Sequence, residues 1–289
     1  MPMIVMTGAN GRLGRLVAQA LARRGAAGRV RLATRDPAKT ADLAAVGFET
    51  VRADFADPAS LRAAFAGADA ALMISMPGPV EARLPLHRNA FDAAREAGVG
   101  RLVYTSRVNP VAESLYPYAP VHVFSEEYLK STGVPATVLR NSEFVQNIGW
   151  LIRRAAETGS LILPGATGRL AYVDVEDIAE ITATVLLEEG HAGKTYELNG
   201  PEALSRQQIA AIVAAVAGRA VVAEAISRED YGAFMRANGR PPFVVDMLMG
   251  FYDAIDVGEF ARVWPDAGDL LGRPPRSIAD FVRRTLDSA

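Results

Sequence analysis

The apolar positions of this chain change period along its length, and the changes mark out its elements. Short β-prone runs at Met3–Gly8, Arg29–Arg35, Phe48–Asp54, Ala71–Ser75, Arg101–Ser106, Ala136–Asn141 and Tyr196–Asn199 read as strands. Several are unbroken Val/Ile/Leu-rich runs, the pattern of parallel strands covered by helices on both faces. Between the first two, Leu13, Leu16, Val17, Ala20 and Leu21 recur at i, i+3, i+4, i+7 and i+8, one face of a helix. Asp57 before Pro58 reads as an N-cap followed by proline in the first turn. This alternation predicts an α/β fold with a Rossmann-like doubly wound parallel sheet.

After about Gly200 the strand signal fades, and helices are expected at Ser205–Ala217, Ser227–Asn238, Phe243–Ile255 and Ile278–Leu286. Pro, Gly and Asp punctuate Trp264–Pro275, which reads as a loop. The expected organisation is an NAD(P)-binding domain over residues 1–150, rejoined by about 171–200. Residues 151–170 and 201–289 form a smaller, mainly helical substrate lobe. That lobe is expected to close over the carboxyl edge of the sheet, where ligands of such folds bind.

Composition narrows the function classes. Half of the 289 residues are apolar and 22% are charged, which predicts a sizeable core and argues against disorder. A net charge of −2 leaves no basic footprint for nucleic acid. The absence of cysteine excludes disulfides, thiolate zinc sites and cysteine nucleophiles. No metal is expected, because the three histidines stand far apart without ligand spacing. With no charged-then-apolar leader before the first strand and no membrane-length apolar run, a cytoplasmic protein is expected, with a homodimer as the candidate assembly.

The chemistry begins at Thr7-Gly8-Ala9-Asn10-Gly11-Arg12-Leu13-Gly14. Gly8 permits a tight turn out of a strand, Gly11 lets backbone approach a pyrophosphate, and Gly14 lets the helix pack closely. A helix starting near Arg12 then aims free amides and its positive dipole end at phosphate. At the end of the second strand, Arg35 offers a fork suited to a ribose 2′-phosphate, and Lys39 adds a second cation. Asp36, one position on, would instead suit a 2′-hydroxyl if the register shifted, but before Pro37 it also reads as an N-cap. NADP(H) is therefore favoured over NAD(H). Asp54, with Phe55 beside it, closes the third strand, where it either reaches the adenine edge or is an ordinary strand-end residue.

These motifs resemble the NmrA-like branch of the atypical short-chain dehydrogenase/reductase superfamily. The likeness is carried by T-G-A-N-G-R-L-G, R-D-P-A-K, Val121–Glu126, Val138–Asn141, Leu187–His191 running into Lys194-Thr195-Tyr196, and Phe251–Ile255. The later segments resemble bacterial NADPH-dependent quinone and triphenylmethane-dye reductases. The resemblance implies a cleft for a flat aromatic acceptor.

Most short-chain dehydrogenases pair Tyr-x-x-x-Lys, the lysine lowering the tyrosine pKa. Here the only lysines are Lys39, Lys130 and Lys194, none four residues after a tyrosine; Tyr128 is followed at that spacing by Thr132. A quinone or extended dye accepts hydride at a conjugated position without a dedicated protein acid, so proximity and orientation carry most of the catalysis. The leading expectation is an NADPH-dependent reductase of such acceptors. The alternative is an NADP(H)-binding redox sensor of the NmrA type without turnover.

His122 and Glu126, four apart, lie in the region where related branches place a catalytic pair; either His122 donates a proton with Glu126 orienting it, or the two are structural. His87 and His191 are expected to be surface or structural. Ser75, Met76 and Pro77, in the loop leaving the fourth strand, and Thr105 and Ser106 at the end of the fifth, are expected along the cofactor. Arg107, Asn109, Asn141 and Phe144 are expected toward the acceptor. An inward Arg107 would favour an acidic or phosphate-bearing ligand; an outward one says nothing.

Overall fold

A computed structural model describes residues 3–164 and 168–287. In chain order the first half runs β1 (Ile4–Thr7), α1 (Arg12–Arg23), β2 (Val30–Thr34), α2 (Ala41–Ala45), β3 (Glu49–Arg52), α3 (Pro58–Phe65), β4 (Ala70–Met73), α4 (Val80–Glu96), β5 (Arg101–Arg107), α5 (Ala119–Ser131) and β6 (Ala136–Asn141). Then come α6 (Gly149–Thr158), β7 (Ser160–Leu163), β8 (Arg169–Leu170), α7 (Val175–Leu187), β9 (Thr195–Leu198), β10 (Leu204–Ser205), α8 (Arg206–Ala217), β11 (Val222–Ala225), α9 (Arg228–Ala237), α10 (Pro242–Asp256), α11 (Asp266–Leu271) and α12 (Ile278–Asp287).

Seven strands form one sheet in the order β3-β2-β1-β4-β5-β6-β9. Ile4 is in parallel register with Val30 on one side and Ala70 on the other, so the order reverses between β1 and β4. That reversal is the topological switch point, where open α/β sheets bind ligand beyond the strand carboxyl ends. The expected doubly wound sheet is present, and each strand lies within one or two residues of its expected place.

The chain divides into two compact units: Met1–Arg107, Val121–Arg140 and Ile178–Tyr196; and Val108–Pro120, Asn141–Asp177 and Glu197–Ala289. The first has a core of Val5, Leu61, Phe65, Ala71, Met73, Phe91, Leu102, Tyr104 and Leu129. Burying each large apolar side chain there contributes about 1.5–3 kcal/mol before the entropy of ordering is counted. Arg101 donates to the carbonyls of Val185, Leu186 and Glu188, satisfying the end of α7.

The second unit packs α6, α8, α10 and α12 around Ile152, Val213, Ala254, Phe260 and Val282. It also holds two small sheets absent from the expected plan, β7–β11 (parallel) and β8–β10 (antiparallel). The loop expected over Trp264–Pro275 is corrected by α11, whose first turn carries Asp266 and Asp269 and whose end is Gly272 at φ +63°. Acids near its N-terminus and a left-handed glycine at its end suit a helix, but six residues are too short to show a period.

At the start of α7, Asp177 is fully buried and accepts from Arg273 Nη2 (2.8 Å), the Arg276 amide (2.6 Å) and the Arg276 guanidinium. Asp174 caps the helix by accepting from the Glu176 amide (2.9 Å), and also binds Gln146 Nε2 (2.7 Å) and the Arg284 guanidinium.

Candidate functional site

The glycine turn follows β1 directly. Gly8 sits at φ +73°, and a Cβ there would lie 3.0 Å from the Ile74 Cβ, so glycine is required twice over. The Gly11 amide donates to the Gly8 carbonyl at 3.0 Å and closes the turn. A Cβ on Gly14 would fall 2.1 Å from that same carbonyl oxygen, so only glycine lets α1 pack on the turn. Gly11 differs: its Cβ would meet nothing nearer than the Gly8 oxygen at 3.4 Å.

Gly11 is the N-cap of α1, with no side-chain cap and no acid in the first turn. The first-turn amides and the positive end of the helix dipole are thus left for an anion. Asn10, Gly11 and Arg12 are exposed beside them, whereas Leu13 is buried. The cradle therefore fits a dinucleotide pyrophosphate.

Arg35 and Lys39 are both exposed at the end of β2. Asp36 caps the short Pro37–Thr40 turn, accepting from the Ala38 amide at 3.2 Å. Its carboxylate thus serves its own loop, which favours the N-cap reading. Two side chains tie this loop to the cradle. Asn10 Nδ2 donates to Thr34 Oγ1 at 2.6 Å, and Arg15 bonds Asp42 (2.7 Å) and the Lys39 carbonyl. Asp54 is likewise engaged in its own turn, accepting from the Ala56 amide at 3.0 Å, and the Phe55 carbonyl accepts from Asn89.

Two threonines stitch the strand ends together. Ile74 N–H donates to Thr7 Oγ1 (3.1 Å), and Ser75 N–H donates to Thr105 Oγ1 (2.9 Å). Met76 is half-buried and Pro77 exposed in the same loop. Since Ile74 packs on Gly8, the loop after β4 lies beside the cradle.

The structure does not join His122 to Glu126. Glu126 accepts from Ser106 Oγ (2.6 Å) and takes a two-pronged bond from Arg140 (3.0 and 2.6 Å). His122, buried, has Nδ1 3.1 Å from Tyr104 Oη and Nε2 3.5 Å from Arg83 Nη2. Burial first, then the charge of Arg83, pushes the His122 pKa well below its usual value. His87 is fully buried, with Nδ1 2.7 Å from Ser125 Oγ and Nε2 3.4 Å from Ser75 Oγ. Burial, reinforced by Arg83, lowers its pKa to about 3. Both rings are therefore neutral near pH 7. His191 is also buried and bonds Tyr196 Oη at 2.9 Å.

Of the residues expected toward an acceptor, Arg107 is buried rather than solvent-facing, and its charge also acts on His122. Asn109 has φ +49°; its amide donates to Glu197 (3.2 Å) and its side chain to the Glu259 carbonyl (3.0 Å). Asn141 is buried and Phe144 half-buried. Sequence reasoning missed Arg83, Tyr104 and Ser125. The available signal was the four-residue spacing of Arg83 and His87, which puts them on one face of α4. Among the described residues no group of three or more His, Asp or Glu is placed to hold a metal, and no helix is long and apolar enough to cross a membrane.

Quinone oxidoreductase 2 of Escherichia coli (strain K12) is 33% identical over 280 residues, covering 97% of each chain. The Citrobacter sp. triphenylmethane reductase complexed with NADP(H) superposes with a TM-score of 0.92 at 32% identity, covering 98% of this chain and 99% of the other. The E. coli NADPH-dependent quinone oxidoreductase complexed with NADPH gives a TM-score of 0.92 at 33% identity, covering 98% and 100%. Residues 2–248 match the NmrA-like family. With its glycine cradle at the β1–β4 switch point and relatives along its whole length, the chain belongs to the NmrA-like family.

Proposed function

We propose that this chain is an NADPH-dependent oxidoreductase that passes hydride to a quinone or a similar conjugated aromatic. The observation that carries the reading is the cradle: Gly8, Gly11 and Gly14 leave an anion seat at the N-terminus of α1, with Arg35 and Lys39 exposed at the neighbouring strand end. The match to NADPH-bound reductases over nearly the whole chain supports the same cofactor and reaction class. When bound, the nicotinamide supplies the hydride.

In this reading the first-turn amides of α1 hold the pyrophosphate and Arg35 takes the 2′-phosphate, with Lys39 adding charge. Asp54 and Phe55 flank the adenine side. Ser75, Met76, Pro77, Thr105 and Ser106 line the nicotinamide side, and Arg107, Asn109, Asn141 and Phe144 serve the acceptor. No lysine follows a tyrosine at four residues, so the residues work chiefly by binding and orientation. His122 is neutral and buried, and Glu126 is neutralised by Arg140, which supports a structural role for both.

Stopped-flow mixing of NADPH-loaded protein with a benzoquinone panel tests the reading. Acceptor-dependent loss of NADPH absorbance is expected. Tight NADPH and NADP+ binding of equal strength, with no acceptor consumed, would instead establish the redox-sensor reading, which the missing Tyr-x-x-x-Lys pair also permits.

A further inference from the structure

Ser75, Arg83, His87, Tyr104, His122 and Ser125 form one hydrogen-bonded cluster inside the first unit. Arg83 is buried at 4% exposure on α4. The protons in the cluster can be assigned one after another. Ser125 Oγ–H donates to the Val121 carbonyl at 2.7 Å, so its oxygen accepts from His87 Nδ1, also at 2.7 Å. His87 therefore carries its proton on Nδ1 and presents a bare Nε2 to Ser75 Oγ at 3.4 Å. Ser75 Oγ accepts from Arg83 Nη2 at 2.7 Å, which leaves its own proton for His87. A guanidinium only donates, so His122 Nε2, 3.5 Å from the same Nη2, is also bare, and its Nδ1–H points at Tyr104 Oη, 3.1 Å away.

We propose that Arg83 is the positioning residue of the dinucleotide site. By donating to Ser75 and His122 together, it pins the loop after β4 to α5 and holds His122 as a neutral Nδ1–H tautomer, beside the His87 tautomer that Ser125 fixes. Ser75 is thereby offered to the nicotinamide half of the cofactor in one orientation. The inference rests on the proposed NADPH site, because it places the cofactor along the loop whose Ile74 packs on Gly8. The low pKa of both rings agrees with a cation fixed against them.

The chain has only three histidines, so nitrogen NMR of protein labelled in histidine resolves each ring. In the unaltered protein, His87 and His122 are expected as Nδ1–H tautomers that do not change between about pH 5 and 8. In Arg83→Met, His122 should lose that tautomer preference, and calorimetry should show NADPH bound about tenfold more weakly, the worth of one charge-assisted hydrogen bond. Arg83→Lys, which keeps a donor for Ser75, should recover most of that affinity.

If Arg83→Met does not fold, Ser75→Ala replaces it. NADPH binding should weaken by a similar factor, while His87, whose Nδ1–H is held by Ser125, should keep its tautomer. Finding the proton of His122 on Nε2 in the unaltered protein would overturn the inference. So would NADPH affinity and ring spectra that Arg83→Met leaves unchanged. A chain that shows these tautomers yet binds no NADPH would refute the proposed function itself, and with it the cofactor half of the inference. The spectra are recorded without cofactor or acceptor, so the two failures are separable.

Discussion

Gly11 and Gly14 belong to one motif, but adding a methyl group to each should have opposite signatures. In Gly14→Ala the new Cβ would stand 2.1 Å from the Gly8 oxygen, 2.7 Å from its carbonyl carbon and 2.9 Å from the Ala9 Cα. All three are backbone atoms, so α1 must withdraw by about 1 Å, an overpacking cost of roughly 1–3 kcal/mol. The 3.0 Å bond from Gly11 N–H to Gly8 O stretches with it, adding about 0.5–1.5 kcal/mol.

In Gly11→Ala the nearest atom is 3.4 Å away, and the backbone at φ −81°, ψ 164° is open to any residue. The modest loss of a preferred N-cap is offset by roughly 0.4–1 kcal/mol of reduced unfolded-state entropy, so stability should hold. The methyl group instead occupies the face where phosphate approaches, and about 10–100-fold of NADPH affinity should be lost. Thermal melting and calorimetric titration of both variants form the assay. Gly14→Ala should lower Tm by several degrees, whereas Gly11→Ala should keep Tm and lose binding. A Gly11→Ala protein that binds NADPH within twofold of the parent refutes the cradle argument, and an unchanged Tm in Gly14→Ala refutes the packing argument.

Arg35→Ala should weaken NADPH by about 10–100-fold and NADH by less than about threefold, measured by titration with each cofactor; equal effects would remove the 2′-phosphate assignment. Asp177→Asn leaves the Arg273 and Arg276 guanidinium groups without their buried carboxylate, and with those arginines partly exposed the cost should be near the low end, about 3 kcal/mol. The expected fall in Tm is roughly 6–12 °C. Acid should destabilise the fold through His87, which faces Arg83, Ser75, Ser125 and the Phe91 and Tyr104 rings. Its folded pKa of about 3 lies below its ordinary 6.5, so the unfolded chain binds the extra proton and the stabilisation, complete above pH 6.5, drains away toward pH 3. By pH 5 this amounts to about 2 kcal/mol; denaturation curves at pH 7.5 and 5 should differ by at least that, and His87→Gln should narrow the gap.

What was legible in the sequence was whatever physics writes locally. The glycine spacing, the continuous apolar runs, and Asp36 and Asp57 as caps ahead of prolines all reappear, with Asp57 accepting from the Ser60 amide at 3.2 Å. Illegible were features assembled by topology. Arg83 and His87 share a helix face, but their partners Ser75, Tyr104, His122 and Ser125 come from three other stretches that only the sheet order brings together. The four-residue spacing of His122 and Glu126 was a fair prompt for a pair, yet Arg140 and Ser106 claim Glu126. Two-residue strands such as β8 and β10 bury too little to leave a pattern.

The arginines that neutralise the buried start of α7 have an implication for synthesis. Arg273 and Arg276 follow Asp177 by 96 and 99 residues, and Arg284 follows Asp174 by 110. The carboxylates thus leave the ribosome long before their counterions exist. Until then Asp174 and Asp177 must stay hydrated, so the second unit cannot close early. Its assembly should be a late event that waits for the C-terminal helix, and ribosome-bound chains halted before residue 273 should hold this unit open to protease.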